Sequence, residues 1–88
     1  MYEKTIYENE EKGYQYRLTY NTFRDVEYLH LRKYFLTYDG DYHPSKEGAS
    51  IPATIQNTYN ILDGLLDVLS KSEGWDSIKQ HISSRIKD

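Results

Sequence analysis

The stretch LRKYFLTYDGDYHPSKEGASI, Leu31 to Ile51, decides how this chain folds. It opens as the end of a strand, carries an arginine among aromatic residues and turns at Asp39-Gly40. It returns through Pro44-Ser45-Lys46-Glu47-Gly48 into a second short strand. The strand it ends reads from Val26 to Leu36. Successive strand side chains point to opposite sides, so Leu29, Leu31 and Lys33 share one face and Tyr28, His30, Arg32 and Tyr34 the other. The first face suits a core. The second is polar and aromatic and displays a guanidinium.

Towards the N-terminus, Tyr14 to Tyr20 alternates in the same way, Gly13 marks a turn before it, and Lys4 to Asn9 reads as a first strand. Asn21 to Asp25 forms the next turn, with Phe23 and Arg24 at its tip. Towards the C-terminus, a loop from Thr37 to Glu47 precedes a fourth strand at Gly48 to Ile51. Pro52 fits the first position of a helix, where its missing N–H would be unpaired in any case, and that helix runs to about Ser70. Ile55, Tyr59, Leu62, Leu66 and Leu69 recur along one face, with Ile61, Leu65 and Val68 beside them. This stripe is wider than contact with one sheet requires. It predicts burial against both a sheet and a partner chain, most simply in a symmetric homodimer. Gly64, in the middle of the helix, costs about 1 kcal/mol against alanine. After Lys71-Ser72-Glu73-Gly74, the apolar residues Trp75, Ile78, Ile82 and Ile86 predict a second, short amphipathic helix. It either packs on the dimer or serves as a docking arm for another protein. The expected fold class is α+β, with the main domain over residues 1–71 and a helical extension over 72–88.

Eighty-eight residues make one domain that buries only roughly 60–65% of its unfolded surface, so oligomerisation is a natural remedy. With no cysteine there is no disulfide to help, and the redox compartment is left open. No apolar run is long enough for a bilayer and Met1-Tyr2-Glu3-Lys4 does not open a signal peptide, so a soluble intracellular protein without a membrane partner is expected. The net charge of −3 argues mildly against a nucleic-acid partner. Ten tyrosines, against two phenylalanines and one tryptophan, suit half-buried strand faces whose rings pack while their hydroxyls stay wet. A tyrosine-rich sheet with no ligand would explain them equally well.

Catalysis has little to stand on. His30, His43 and His81 lie on different elements without metal-ligand spacing, and there is no cysteine nucleophile, nucleophile elbow or glycine-rich phosphate loop. Asp39 and Asp41 flank a turn glycine, where turn chemistry accounts for them. Neither an enzyme, a metal nor a cofactor is expected. What is present is the pair of groups that holds single-stranded nucleic acid: rings for base stacking and cations for the backbone. Phe23, Tyr34, Phe35, Tyr38 and Tyr42 interleave with Arg17, Arg24, Arg32, Lys33 and Lys46. Arginine serves twice, since its planar head stacks on rings and forks onto phosphate.

These residues also carry a family likeness. Leu31-Arg32-Lys33-Tyr34-Phe35, Gly40, Pro44, Lys46, Gly48, Ser50 and Ile51 fall without a gap on a known pattern, and Phe23-Arg24 falls where that pattern has an aromatic-basic pair. The stretch from Tyr16 to Ile51 resembles the C-terminal domain of the positive cofactor four family of transcriptional coactivators. The resemblance implies a curved four-stranded antiparallel sheet followed by a helix, a homodimer through the helices, and channels for single-stranded DNA with little sequence preference. It makes Phe23 and Phe35 stacking platforms and gives Arg24, Arg32 and Lys46 the phosphates and bases, with Arg17, Tyr34 and His43 as further contacts. Replication, recombination or transcription would be the setting, and RNA is an alternative ligand. With no low-complexity arm before the sheet, a bacterial or phage protein in the cytoplasm is expected, or a nuclear one if eukaryotic.

Alternation puts Arg32 and Phe35 on opposite faces, so a bulge or strong twist near Tyr34 is needed for both to meet one ligand. The family pattern commonly has lysine where this chain has His43, and a basic pair where it has Lys46-Glu47. Each lost phosphate contact lowers the log–log salt slope on single strands by about 0.7. Binding should therefore lean on stacking, and a titration of affinity against salt should give a slope below about four.

Overall fold

In the computed structural model, which describes residues 1–86, Met1–Thr54 form one unit and the residues from Ile55 onward another. The first is an open antiparallel sheet of four strands: β1 (Tyr2–Asn9), β2 (Tyr14–Phe23), β3 (Val26–Leu36) and β4 (Tyr42–Pro52). Their spatial order is their chain order, so each connection is a hairpin. At the first, Gly13 takes a positive φ of 71° and its N–H donates to the Asn9 carbonyl at 2.9 Å. At the second, Arg24 and Asp25 form a two-residue loop with φ of 51° and 66°, the pattern of a type I′ turn. At the third, the N–H of Thr37 donates to Asp41 O and that of Gly40 to Thr37 O.

The pairing of β2 with β3 is unbroken, from Tyr14 opposite Phe35 to Phe23 opposite Val26. The two expected faces of β3 therefore persist along its length, and β2 matches them residue for residue. The pairing of β3 with β4 shifts between Arg32 and Tyr34. There Ser45, Lys46 and Glu47 lie between the β4 residues paired with those two, so β4 bulges opposite Lys33. Ser45 Oγ donates to Lys33 O at 2.7 Å and accepts from the Glu47 N–H at 3.0 Å, which fixes the bulge from within. Gly48 follows at φ 144°, where an added Cβ would lie 2.3 Å from Leu31 O and 2.7 Å from Arg32 Cα. Only glycine fits this crossing.

Several element limits differ from expectation. The fourth strand begins at Tyr42 rather than Gly48, because the bulge lets Pro44 pair opposite Tyr34 as a strand residue. β4 is an edge strand, where a missing N–H is tolerated. Pro52 does not open the helix: it closes β4 opposite Tyr28, and the Ala53 N–H donates to Glu27 O at 2.8 Å. β1 starts at Tyr2, and β2 runs on to Phe23.

The second unit holds α1 (Ile55–Ser70) and α2 (Trp75–Arg85). The N–H groups of Ser72 and Glu73 both donate to Leu69 O, ending α1, and an extended Gly74 starts α2. Asp76 in the first turn of α2 and Arg85 in the last complement the helix dipole. The expected extension ends in Lys87 and Asp88, which lie outside the described residues. Ile78, 4% exposed, is the sole buried large apolar side chain among the described residues, whereas Leu65 is 57% and Val68 62% exposed. Within the helical unit α2 thus leaves the apolar stripe of α1 largely uncovered. No helix among the described residues is long and apolar enough to cross a membrane.

Replacing Gly48 by alanine forces its Cβ into backbone atoms that cannot move aside. Gly48→Ala should lower stability by about 3 kcal/mol or more in urea unfolding, whereas Gly40→Ala, with open space around the new Cβ, should cost only its backbone strain.

Candidate nucleic-acid interface

The polar face of the sheet is built by the β2–β3 register, which sets Gln15, Arg17, Thr19, Asn21 and Phe23 opposite Tyr34, Arg32, His30, Tyr28 and Val26. Arg17 and Arg32 are direct cross-strand partners, and like charges so placed repel. Glu3 from β1 relieves this by accepting from Arg17 Nη1 at 2.9 Å, while Arg17 Nε donates to Gln15 Oε1 at 2.8 Å. The Arg17 guanidinium lies 4.4 Å from the centre of the Tyr34 ring and 5.7 Å from that of Tyr42. Tyr42 in turn donates its hydroxyl to Glu8 Oε2 at 3.3 Å. Arg17 therefore braces Tyr34 with its charge already neutralised. Arg32 makes no ion pair with any described residue and is the cation this face offers.

Phe23 stands at the hairpin end of the same face, 53% exposed, with the Arg24 guanidinium 5.0 Å from its ring centre. Phe23 and Arg32 line one open pocket of about 490 Å³ together with Asn21, Tyr28, His30 and Ser50. Ser50 lies opposite His30 on β4 and hydrogen-bonds its Nδ1, while His30 Nε2 is 3.2 Å from Asn21 Oδ1. Burial, and then the nearby Arg32 charge, hold the His30 imidazole below its ordinary pKa of 6.5. A ring, a fork of N–H donors and a row of small polar groups thus surround a space open to solvent. That combination can stack a flat ring and bind a phosphate beside it.

Phe35 is elsewhere. β3 stays in step with β2 through Tyr34, and the bulge that alternation called for lies in β4 instead. Phe35 therefore keeps the face opposite Arg32, with Lys33 Nζ 4.9 Å above its ring and 4.3 Å above that of Tyr14. Tyr7 and Tyr16 extend this second aromatic cluster, each with its ring 6.1 Å from Tyr14. Glu47 does not neutralise its neighbour Lys46: its carboxylate reaches Lys33 Nζ at 3.4 Å, and exposed Lys46 makes no ion pair with a described residue. His43 is exposed at the β4 start, its Nε2 3.4 Å from Asp39 Oδ2. The Thr37 hydroxyl above all, then the Asp41 N–H and His43, hold the Asp39 carboxyl below its ordinary range. Asp39, Asp41 and His43 have ligand atoms within 4.8 Å of one another, yet all three are exposed and Asp39 already accepts from Thr37 and Asp41.

The structure thus lines one pocket with Phe23 and Arg32, sets Arg24 over the Phe23 ring, and holds Arg17, directly across the strands from Arg32, against Tyr34. It separates Phe35 on the reverse face and leaves Lys46 and His43 on the edge strand. Sequence reading missed Asn21 and Ser50, whose place beside His30 follows from the pairing registers. Alternation along β3 did signal His30 and Tyr28 as neighbours of Arg32.

Residues 11–56 match the family described as Transcriptional Coactivator p15 (PC4), a span that holds three of the four strands and the β4 bulge. The chain belongs to this family. Two solved PC4 homologues share the fold. One, from bacteriophage T5, is described as a homologue of the eukaryotic coactivator implicated in recombination-dependent DNA replication. It is 28% identical, with a TM-score of 0.78 over 98% of this chain and 97% of its own. The other, from Burkholderia pseudomallei, is also 28% identical, with a TM-score of 0.59 over 81% of this chain and 92% of its own. No curated protein sequence matches the chain significantly. The likeness to the T5 protein spans both the sheet and the helices, so α2 is shared with a PC4 relative.

His30 is held neutral in the fold and charges more readily once unfolded. Its contribution to stability is therefore complete above the ordinary pKa of 6.5 and is lost as pH falls through 6.5 towards the folded value. Urea midpoints taken from about pH 8 to pH 5 should fall on the acid side, and His30→Gln should flatten that fall.

Proposed function

We propose that this PC4-family chain is a non-enzymatic, homodimeric single-stranded DNA-binding protein acting in replication, recombination or transcription. The observation that carries the reading is the cluster of exposed Phe23, its covering Arg24 and the unpaired Arg32 on one sheet face. Stacking on an aromatic side chain is worth about 1–3 kcal/mol per base, and it needs a base that is not already stacked in a duplex. The polar face of the sheet offers no helix for a major groove, so single strands suit it better than duplex. Support for the dimer comes from the exposed stripe at Leu65 and Val68, since water-exposed apolar rows of this kind mark interaction surfaces. Lys46, Tyr34 and Phe35 extend the ligand's path where the strand passes round the far end of β3, and His43 lies beside it. Stacking and backbone contacts do not exclude ribose, so RNA competes in principle.

A second reading has its own observation. Leu62, Leu66, Leu69, Ile78 and Ile82 line an apolar groove of about 610 Å³ in the helical unit. A recruitment module would use it for a protein partner, with DNA binding secondary. Deleting residues 72–88 separates the two: lost recruitment with intact oligonucleotide binding favours the second.

Fluorescence anisotropy should show tight binding to an unstructured oligonucleotide and weak binding to the matching duplex. Phe23→Ala, Phe35→Ala and Arg32→Ala should each weaken the single-strand complex by roughly fivefold to a hundredfold, the range set by one stacked base or one charged contact. Equal affinity for duplex, or unchanged affinity in both Arg32→Ala and Phe35→Ala, would refute the assignment.

A further inference from the structure

The pocket beside Phe23 has a polar wall in which Ser50, His30 and Asn21 form one hydrogen-bond relay. Asn21 Oδ1 can only accept, so the 3.2 Å contact with His30 Nε2 requires that nitrogen to carry the proton. In the neutral ring Nδ1 is then an acceptor, and the Ser50 hydroxyl donates to it. The relay runs Ser50 to His30 to Asn21 and turns the Asn21 oxygen towards His30. The half of the amide that His30 does not hold is the NH₂ group, which can only donate. Arg32, on the same pocket wall, is also a pure donor. An asparagine with both halves free suits adenine, donating to N7 and accepting from N6. Here His30 holds the accepting half on its own side.

We propose that this pocket holds one base of a bound single strand against Phe23 and prefers keto bases, guanine and thymine, over amino bases, adenine and cytosine. Guanine O6 and thymine O4 accept at the ring position where adenine N6 and cytosine N4 donate. A keto oxygen meets the Asn21 NH₂ and the Arg32 fork. An amino group there sets donor against donor and leaves both desolvated without a partner, which is the more costly half of the discrimination. Asn21 touches the base. His30 is a positioning residue, because it acts by holding the amide in one orientation. Burial and the Arg32 charge keep His30 neutral near neutral pH, as the relay requires. The inference rests on the single-strand reading above and adds to it a base preference within a surface that otherwise grips any sequence.

The test compares d(TG) and d(CA) repeats of equal length in lithium chloride, which keeps guanine quartets from forming. Both have the same share of purines, so stacking is closely matched and the exocyclic group is the systematic difference. The native chain should bind the d(TG) repeat tighter, on the order of fivefold, the worth of about one net hydrogen bond. Asn21→Ala should bring the two affinities together while affinity for d(CA) stays within a few-fold. Asn21→Asp, nearly isosteric, puts an acceptor where the NH₂ was and should reverse the ratio, whatever its charge does to both affinities in common. His30→Leu should also erase the ratio with Asn21 intact, because the amide is then free to turn over; a purely structural role for His30 would weaken both repeats equally. Tight but equal binding of the two repeats by the native chain overturns the base pocket and leaves the single-strand reading standing. Failure to bind either repeat overturns both. Preference for d(CA) overturns the inference by placing the Asn21 oxygen in the pocket, and a ratio that survives in Asn21→Ala and Asn21→Asp removes the preference from this residue.

Discussion

The unbroken pairing of β2 with β3 is the constraint on which the sheet depends. It fixes which side chains share a face along the two central strands, and a slip of one residue would exchange the faces entirely. It also forces Arg17 against Arg32, two cations facing each other across the strands. The sheet tolerates this because β1 supplies Glu3 to one of them and Tyr34 supplies a ring face. One repulsive pair is thereby turned into a fixed bracing arginine and an unpaired one. The distinction matters for function, since a guanidinium already bound to a carboxylate has little charge left for a phosphate.

The edge strand does the complementary work. By bulging opposite Lys33, β4 sends Glu47 across to Lys33 and leaves Lys46 without an ion-pair partner. The bulge ends at a glycine that packs against the backbone of Leu31 and Arg32, so β4 lies close beside Arg32 with no side chain between. This is how an acidic chain can still present cations. Fourteen acidic against eleven basic residues give −3 overall, yet Glu3 and Glu47 are spent on Arg17 and Lys33. Of the five candidate-site cations, Arg17, Arg24, Arg32, Lys33 and Lys46, this leaves Arg24, Arg32 and Lys46 without an ion pair to a described residue. Net charge reports long-range attraction, which salt screens within about 10 Å, whereas stacking and direct contacts act at the surface itself.

Much of this was legible in the residues. Period-two alternation in Val26–Leu36 gave both faces of β3, and the four- and three-residue spacings in Ile55–Leu69 gave α1 and its oversized stripe. Pro52 misled because two environments tolerate a missing N–H, a helix start and an edge strand, and local sequence does not distinguish them. The length of β4 was hidden for a related reason: Pro44 and the non-alternating Ser45-Lys46-Glu47 read as loop until the partner strand supplies a frame for the bulge. The pocket around His30 was beyond reach because it joins three strands. Asn21, His30 and Ser50 lie on separate elements, and only the two pairing registers bring them together.

The tip of the β2–β3 hairpin shows one more conflict between local preference and the fold. Both of its residues sit at positive φ, where asparagine and glycine are at ease and most other residues lose about 1–2 kcal/mol. Arg24 and Asp25 occupy it instead. Strain of this kind persists only where the surroundings hold it in place, and it concentrates at sites with another task. The unbroken register up to Phe23–Val26 holds it here. In the left-handed conformation the Arg24 guanidinium lies over the Phe23 ring, polarising one ring face while Phe23 still lines the pocket. A glycine at the tip would relax the backbone and remove the cation with it. The turn is therefore better explained by what it presents than by how it turns.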